Sequence, residues 1–164
     1  MSNHAAVTDE ILDLYRELIL DHARSPRHFG RLDNATHAAQ GINRLCGDKL
    51  HLYLCVDGDG RIAAMSFEGS GCAISVASAS MLTDTVVGLS VAQAETIFSA
   101  VTGRLTRGNA DEPGELDVDL EKPLDKIKAL DGVREFPSRV KCATLAWHAM
   151  HSALQQDAMP ATTE

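Results

Sequence analysis

The segment LHLYLCVDGDGRIAAMSFEGSGCAIS, residues 50–75, decides the fold because it joins two extended runs through a tight turn. Leucine alternates with other residues over 50–54, which is the period-two pattern of a strand with one buried face. The DGDG sequence at 57–60 is a turn signal, and an extended pattern resumes over 61–68. The segment therefore predicts a β-hairpin. Cys55 falls within the first strand, where we expect a packed core thiol.

Outside this hairpin, the sequence mainly shows signals of helices. An extended segment is possible over 35–45. Helix signals in the remaining sequence are N-cap residues, apolar residues at helical spacing and terminal glycines. They predict helices at 9–23 with Thr8 as N-cap, at 73–87 before Gly88, at 91–105 behind a Ser90–Gln93 capping box, at 124–130 before Gly132, and from Pro137 to about Gln156 with Ser138 as cap.

Composition and charge restrict the possible functions. The chain has 164 residues, of which 45% are hydrophobic and 23% charged, as expected for a single domain over 1–164 with a frayed tail at 157–164. A formal charge of −8 argues against nucleic acid as a partner. The sequence shows no membrane-spanning run and no signal peptide, so we expect a cytoplasmic protein without a membrane partner. The acidic segment 109–121 is expected to be a solvated loop.

The cysteines carry the strongest chemical signal. In a reducing compartment, four cysteines favour metal binding or thiol chemistry over disulfides. Cys46 precedes the hairpin and Cys72 follows it, so the two should lie at the same end of the sheet. Cys72 and Cys142 each fall at the predicted start of a helix, where the helix dipole lowers the pKa of a thiol. Gly69 and Gly71 leave room beside bound sulfur.

Asp48 adds a carboxylate two residues after Cys46. Three thiolates and one carboxylate make the four ligands of a tetrahedral zinc site, while thiolates also suit iron–sulfur clusters. The separations along the chain match no compact zinc finger, so three unrelated buried thiols remain an alternative at this point. The histidines fit no ligand position, and His148 and His151 are expected on ordinary helix faces.

Three motifs resemble those of the NifU-like and IscU-like iron–sulfur cluster assembly proteins. They are CGD at 46–48, GSGCAISVASAS at 69–80 and RVKCATLAWHAM at 139–150, and they occur in the order found in that family. The resemblance extends from the first helix, LYRELILDHARSPRHFG at 14–30, to the last. It implies that the metal and cluster ligands are Cys46, Asp48, Cys72 and Cys142.

Two departures separate the chain from the IscU branch of this family. That branch has a histidine before its last cysteine, where this chain has Lys141, and a Leu-Pro-Pro-Val-Lys peptide read by an Hsp70-type chaperone, where this chain has EFPSRVK. The insertion between Gly108 and Lys122, together with RVKC, looks like the SufU branch. Members of that branch bind zinc and accept persulfide sulfur from a SufS-type cysteine desulfurase, and they have also been described as cluster scaffolds.

We therefore expect an α+β fold of the SufE/NifU-like kind. It would have a small antiparallel sheet of about three strands, helices on one face and a metal site exposed at the sheet edge. The leading function is a zinc-bound sulfur acceptor and carrier, with zinc-dependent sulfurtransferase as the candidate activity. Its expected partners are a SufS-type cysteine desulfurase and other iron–sulfur assembly proteins. Cys46 is the expected persulfide acceptor, because its glycine-flanked loop can swing towards a partner. Arg139 and Lys141 either favour the thiolates or are solvated charges.

Two alternatives to this function stay open. The same four ligands suit a scaffold on which a [2Fe-2S] cluster is built and transferred. A zinc-stabilised binding module without sulfur chemistry is the second alternative, and in it the metal would only hold the fold together.

Overall fold

The fold consists of a small sheet and a layer of helices. The computed structural model of the chain describes residues 3–107, 118–156 and 159–163. In chain order the elements are α1 (Asn3–Arg24), β1 (His37–Asn43), β2 (Asp48–Val56), β3 (Ile62–Ser70), α2 (Ala73–Val86), α3 (Val91–Arg107), α4 (Val118–Ile127), a 3-10 helix (Lys128–Glu135), α5 (Pro137–Leu154) and β4 (Ala161–Thr162). The predicted α+β class is confirmed.

The strands form one four-stranded sheet in the order β3-β2-β1-β4. The β1–β2 and β2–β3 pairs are antiparallel, whereas β4 runs parallel to β1, so the sheet is mixed. β4 falls within the tail that was expected to fray, and that expectation is wrong for Ala161–Thr162. Two contacts explain the difference: β4 pairs with Gly41 and Ile42 at the β1 edge, and Thr163 Oγ1 donates a hydrogen bond to the Lys141 carbonyl at 2.9 Å.

The β2–β3 hairpin is present as predicted, and its alternation sets the core. Leu50, Leu52 and Leu54 are at most 1% exposed. α5 packs closely over this face, since a Cβ at Gly41 of β1 would lie 3.1 Å from Cγ of Leu145. Within the helical layer, Trp147 Nε1 of α5 donates a hydrogen bond of 3.1 Å to Ser78 Oγ of α2. Together these contacts hold α5 against β1 and against α2.

Cys55 does not occupy the position expected of it. The thiol is half-buried, and because neighbouring residues of a strand point to opposite faces, it lies on the face away from buried Leu54. It pairs with Ala64 beside a bulge at the end of β2, and it is not a core residue. Seven residues of strand place it about 23 Å from Asp48.

The local helix signals were right in some places and wrong in others. α2 begins directly after Cys72, and the capping box of α3 is formed in both directions, with hydrogen bonds of 3.0 Å from Ser90 N to Gln93 Oε1 and 3.1 Å from Gln93 N to Ser90 Oγ. α1 begins at Asn3, so Thr8 lies inside the helix instead of capping it. α5 has Phe136 at its N-cap, so Ser138 does not cap it either.

The acidic segment was expected to be a solvated loop, and this is wrong for its last residues. Residues 118–121 lie in α4, while 109–117 lie outside the described residues. The helix forms because Leu120, Leu124 and Ile127 recur at helical spacing and are buried, a pattern that the charges obscured. A 3-10 helix follows directly and includes Gly132, which was expected to close a helix. Among the described residues, no helix is both long and apolar enough to cross a membrane.

Candidate metal centre

Asp48 is the first residue of β2, and its carboxyl group is buried, with the residue only 1% exposed. It points inward for the same reason as Leu50, because residues two apart in a strand share a face. Its Oδ1 accepts a hydrogen bond of 2.8 Å from the backbone N–H of Cys72. Asp48 thus connects the start of β2 to the start of α2, and the predicted juxtaposition at one end of the hairpin is observed.

Two glycines make this approach possible. Gly69 has a φ of +137°, and a Cβ there would lie 2.1 Å from the Lys49 carbonyl oxygen. A Cβ at Gly71 would lie 2.6 Å from Asp48 Oδ1. From the sequence, Gly69 and Gly71 were expected to leave room beside bound sulfur. In the structure these two glycines let β3 and the start of α2 come close to β2 and the Asp48 carboxylate.

Three of the four predicted ligands form a compact group. One ligand atom from each of Cys46, Asp48 and Cys142 lies within 4.8 Å of the other two, and no other such group of His, Cys, Asp or Glu occurs among the described residues. Thiolates bound to a single tetrahedral zinc lie about 3.8 Å apart, given Zn–S distances of roughly 2.3 Å. Small side-chain rotations would therefore bring these donors to bonding distance, so the residues fit a zinc ion.

Cys72 lies beside this group without belonging to it. It is the N-cap residue of α2 and is half-buried. Its backbone N–H is bound to Asp48, and its thiol is near enough to the Cys142 thiol to contribute to the raised pKa of Cys142. The structure thus brings all four predicted residues to one end of the sheet, with Cys72 at the margin of the closest three.

Cys142 differs from its predicted setting. It was expected in the first turn of the last helix, with a pKa lowered by the helix dipole. It lies instead in the second turn of α5 and is fully buried. Burial is the main cause that raises the pKa of Cys142, and hydrogen bonds with Asp48, Cys46 and Cys72 add to it. Without metal this group is a neutral thiol, so a metal that binds it must displace a proton.

Arg139 supplies positive charge beside two of the thiols. The guanidinium is exposed and interacts with both Cys72 and Cys142, and these sulfurs, Cys72 first, raise the pKa of Arg139. The arginine therefore stays cationic at any ordinary pH. The guanidinium is thus both exposed and beside the thiols, and a role in favouring their thiolate forms stays a prediction.

Asn43 is a residue of this region that the sequence analysis missed. It is the last residue of β1 and is fully buried. Its Nδ2 donates to Asp48 Oδ2 at 3.4 Å and to Cys142 Sγ at 3.6 Å. A signal was present in the sequence, because Ala39, Gly41 and Asn43 share one face of the extended segment and only Asn43 is polar.

His148 and His151 lie on α5 against α3, as expected of ordinary helix faces. His151 Nδ1 is 2.7 Å from Glu95 Oε2, and the His148 ring packs edge-on against Phe98 with centroids 5.3 Å apart. Burial lowers the pKa of His148. Neither histidine belongs to the compact donor group.

An α+β fold with thiol and carboxylate donors gathered at one end of its sheet is the arrangement of a class of proteins that could hold a metal ion through thiols. Comparison with known proteins gives the family within this class. The NifU-like N terminal domain matches residues 14–114, and the chain belongs to that family. The resemblance recognised in the three motifs is therefore confirmed.

Relatives of known description lie on both the IscU and SufU sides of the family. The iron-sulfur cluster assembly scaffold protein IscU of Thermotoga maritima is 37% identical over 149 residues, covering 90% of this chain and 96% of that protein. The zinc-dependent sulfurtransferase SufU of Bacillus subtilis is 37% identical over 144 residues, covering 88% of this chain and 91% of that protein. The crystal structure of FiSufU from Fervidobacterium islandicum AW-1 matches with a TM-score of 0.70 at 30% identity, covering 84% and 94% of the two chains.

Proposed function

We propose that this chain is a zinc-bound sulfur acceptor of iron–sulfur cluster assembly, which takes persulfide sulfur from a SufS-type cysteine desulfurase and passes it on. The observation that carries the proposal is the contrast within the compact donor group. Cys46 is half-buried on the turn at 44–47, whereas Asp48 and Cys142 beside it are buried in regular elements. The similarity to a SufU named as a zinc-dependent sulfurtransferase supports the same reaction class.

The residues proposed to hold the zinc are Cys46, Asp48, Cys72 and Cys142. When bound, zinc would stabilise the thiolate forms and protect them from oxidation. Asp48 is an oxygen donor among sulfur donors. Since zinc is borderline-soft and thiolates bind it well, the carboxylate would be the weakest of the four ligands and would tune how readily the site opens.

Cys46 is the ligand that can leave this group with the least rearrangement. Cys142 is packed inside α5, and Cys72 caps α2 with its backbone bound to Asp48. Moving either cysteine would disturb a helix, whereas Cys46 lies between two strands in a four-residue turn. We therefore assign the acceptor role to Cys46, with the other three residues as fixed ligands.

The transfer itself is a thiol–disulfide type of exchange. The Cys46 thiolate attacks the terminal sulfur of the desulfurase persulfide, a new S–S bond forms at Cys46, and the S–S bond of the donor breaks. The desulfurase cysteine leaves as a thiolate with the electron pair of the broken bond. The proton on the terminal sulfur is transferred with that sulfur to Cys46. The sulfur moves without an external oxidant or reductant.

Exposed apolar side chains around this end of the sheet support a protein partner. Leu45, directly before Cys46, is 70% exposed, and Phe136, at the start of the helix that carries Cys142, is 58% exposed. Arg139, which interacts with Cys72 and Cys142, adds a positive charge. A desulfurase that covers these side chains would bring its persulfide to Cys46 and exclude water from the exchange.

The test is to locate the transferred sulfur. The chain would be reacted with a SufS-type desulfurase and cysteine, alkylated at once and analysed by peptide mass spectrometry. We expect persulfide first on the Cys46 peptide, none in Cys46→Ser, and unchanged labelling in the control Cys55→Ser. Persulfide that accumulates on Cys142 while Cys46 stays unlabelled would overturn the assignment, and no transfer at all would favour the binding module.

The scaffold function is a second candidate, favoured by the thiol-rich donor group and by the similarity to an IscU named as a scaffold. In it, a [2Fe-2S] cluster would be the cargo held by the same residues. Metal analysis with a UV–visible spectrum separates the two. Stoichiometric zinc without visible absorbance supports the carrier, whereas a brown protein with iron and sulfide supports the scaffold.

A further inference from the structure

Asn43 stands at the junction between the donor group and the sheet. In the register of the sheet it is the partner of Asp48, and this pair is the last one before the turn that carries Cys46. The amide of Asn43 contacts the Asp48 carboxylate and the Cys142 sulfur from the buried side. One side chain thus connects β1, β2 and α5 directly behind the proposed ligands.

The hydrogen bonds of this amide are distributed unevenly. Its NH2 group donates to Asp48 and Cys142, and the direction is set by Asp48, because a carboxylate only accepts hydrogen bonds. Its Oδ1 is buried and has no hydrogen-bond partner among the described residues. A buried acceptor without a partner lowers stability, so the packing of the fold gives no reason for an amide oxygen at this position. This favours a role in the site over a role in the fold.

The Asp48 carboxylate is held from two sides as a result. Oδ1 accepts from the Cys72 N–H at 2.8 Å, and Oδ2 accepts from Asn43 Nδ2 at 3.4 Å. Because these two hydrogen bonds go to different oxygens, rotation of the carboxyl group would break at least one of them. Partners of this kind orient metal-binding carboxylates, and losing one typically lowers metal affinity about 10- to 100-fold.

We propose that Asn43 is a positioning residue of the zinc site and acts through Asp48. It holds the carboxylate in its binding orientation and fixes the base of the turn, so that Cys46 can move while Asp48 stays in place. The inference rests on the proposed zinc-binding function and adds to it a residue that does not itself bind the metal.

The first test is Asn43→Leu, which keeps a similar shape and removes both donors together with the unpartnered oxygen. Zinc affinity would be measured by competition with a chromophoric chelator. We expect a loss of about 10- to 100-fold. The control is Ser66→Ala in β3, because Ser66 is also buried with an unpartnered oxygen and is not hydrogen-bonded to the site. The control should keep full affinity.

Two further measurements separate positioning from a general loss of structure. The d–d bands of the cobalt-substituted protein should change in Asn43→Leu and stay as they are in Ser66→Ala. In the background Asp48→Ala, the effect of Asn43→Leu on zinc affinity should largely disappear, because the residue through which it acts is gone. Asn43→Ala, which adds no bulk, provides the same readouts if the leucine variant does not fold.

The outcomes are distinguishable. Equal zinc affinity in Asn43→Leu and the unaltered chain would overturn the role of Asn43 and leave the zinc site standing. An undiminished loss in the Asp48→Ala background would also overturn it, since Asn43 would then not act through the carboxylate. If the unaltered chain binds no zinc at all, both this inference and the proposed function fail.

Discussion

Gly71→Ala is the sharpest test of whether Asp48 takes part in the site. The added Cβ would lie 2.6 Å from Oδ1 and 3.2 Å from Cγ of Asp48, so the carboxyl group or the start of α2 must move. Either movement breaks the 2.8 Å hydrogen bond from the Cys72 N–H. A hydrogen bond to a charged group contributes about 1.5–3 kcal/mol, and each 1.4 kcal/mol is about tenfold in affinity. We therefore expect zinc affinity to fall about 10- to 100-fold.

The assay is a zinc competition titration, run in parallel with thermal unfolding of the metal-free protein. Gly58→Ala is the matched control, because a Cβ at Gly58 would meet no atom within 4 Å and the residue lies at the opposite end of the hairpin. It should bind zinc like the unaltered chain. Losing a charge-assisted hydrogen bond should lower the zinc affinity more than about twofold. If Gly71→Ala binds zinc within about twofold of the unaltered chain, the oriented Asp48 carboxylate does not contribute to zinc binding.

Three other predictions follow from the same structure. Removing zinc with a chelator should lower the melting temperature markedly, because the metal would join β2, the turn at 44–47 and α5; an unchanged curve after verified removal would contradict the four-ligand site. Cys55→Ser should keep zinc, since Cys55 lies at the far end of β2, whereas Cys142→Ser should lose it. The measurement is metal analysis of the purified variants, and zinc lost from Cys55→Ser but kept by Cys142→Ser would contradict the ligand assignment. Burial lowers the pKa of His22 below its usual 6.5, so the unfolded chain binds the extra proton and the free energy of unfolding should fall as the pH drops below 6.5. In urea denaturation, His22→Gln should weaken this dependence, and an unaltered pH dependence would rule out His22 as its source.

The parts of the fold that the sequence predicted are those set by local patterns. The hairpin follows from the alternation over 50–54 and the turn at 57–60, and α3 begins where its capping box indicates. The gathering of Cys46 and Cys72 at one end was predictable as well, because a hairpin returns the chain to its start. None of these inferences required knowledge of which distant segments pack together.

The features that the sequence did not predict depend on distant packing. Cys142 is buried because α5 lies tightly over β1 at Gly41, and no local pattern reveals that contact. The two-residue strand β4 exists only because the edge of β1 is available to it. Asn43 escaped notice because its partners, Asp48 and Cys142, come from two other elements. Site geometry that spans several elements is thus the part least accessible from sequence.

The pairing of Asn43 with Asp48 also limits how this chain can vary in evolution. An insertion or deletion within 44–47 would change the reach of the turn that presents Cys46, or slip β1 against β2 by one residue. A slip turns every side chain of a strand to the other face, so the carboxylate and the leucines of the core would be displaced together. The turn at 57–60 joins β2 to β3 at the far end of the hairpin, so a change of length there leaves the pairing of Asn43 with Asp48 in place. Length differences among homologous chains should therefore occur at 57–60 or in the acidic segment 109–121, and the interval from Asn43 to Asp48 should keep its length.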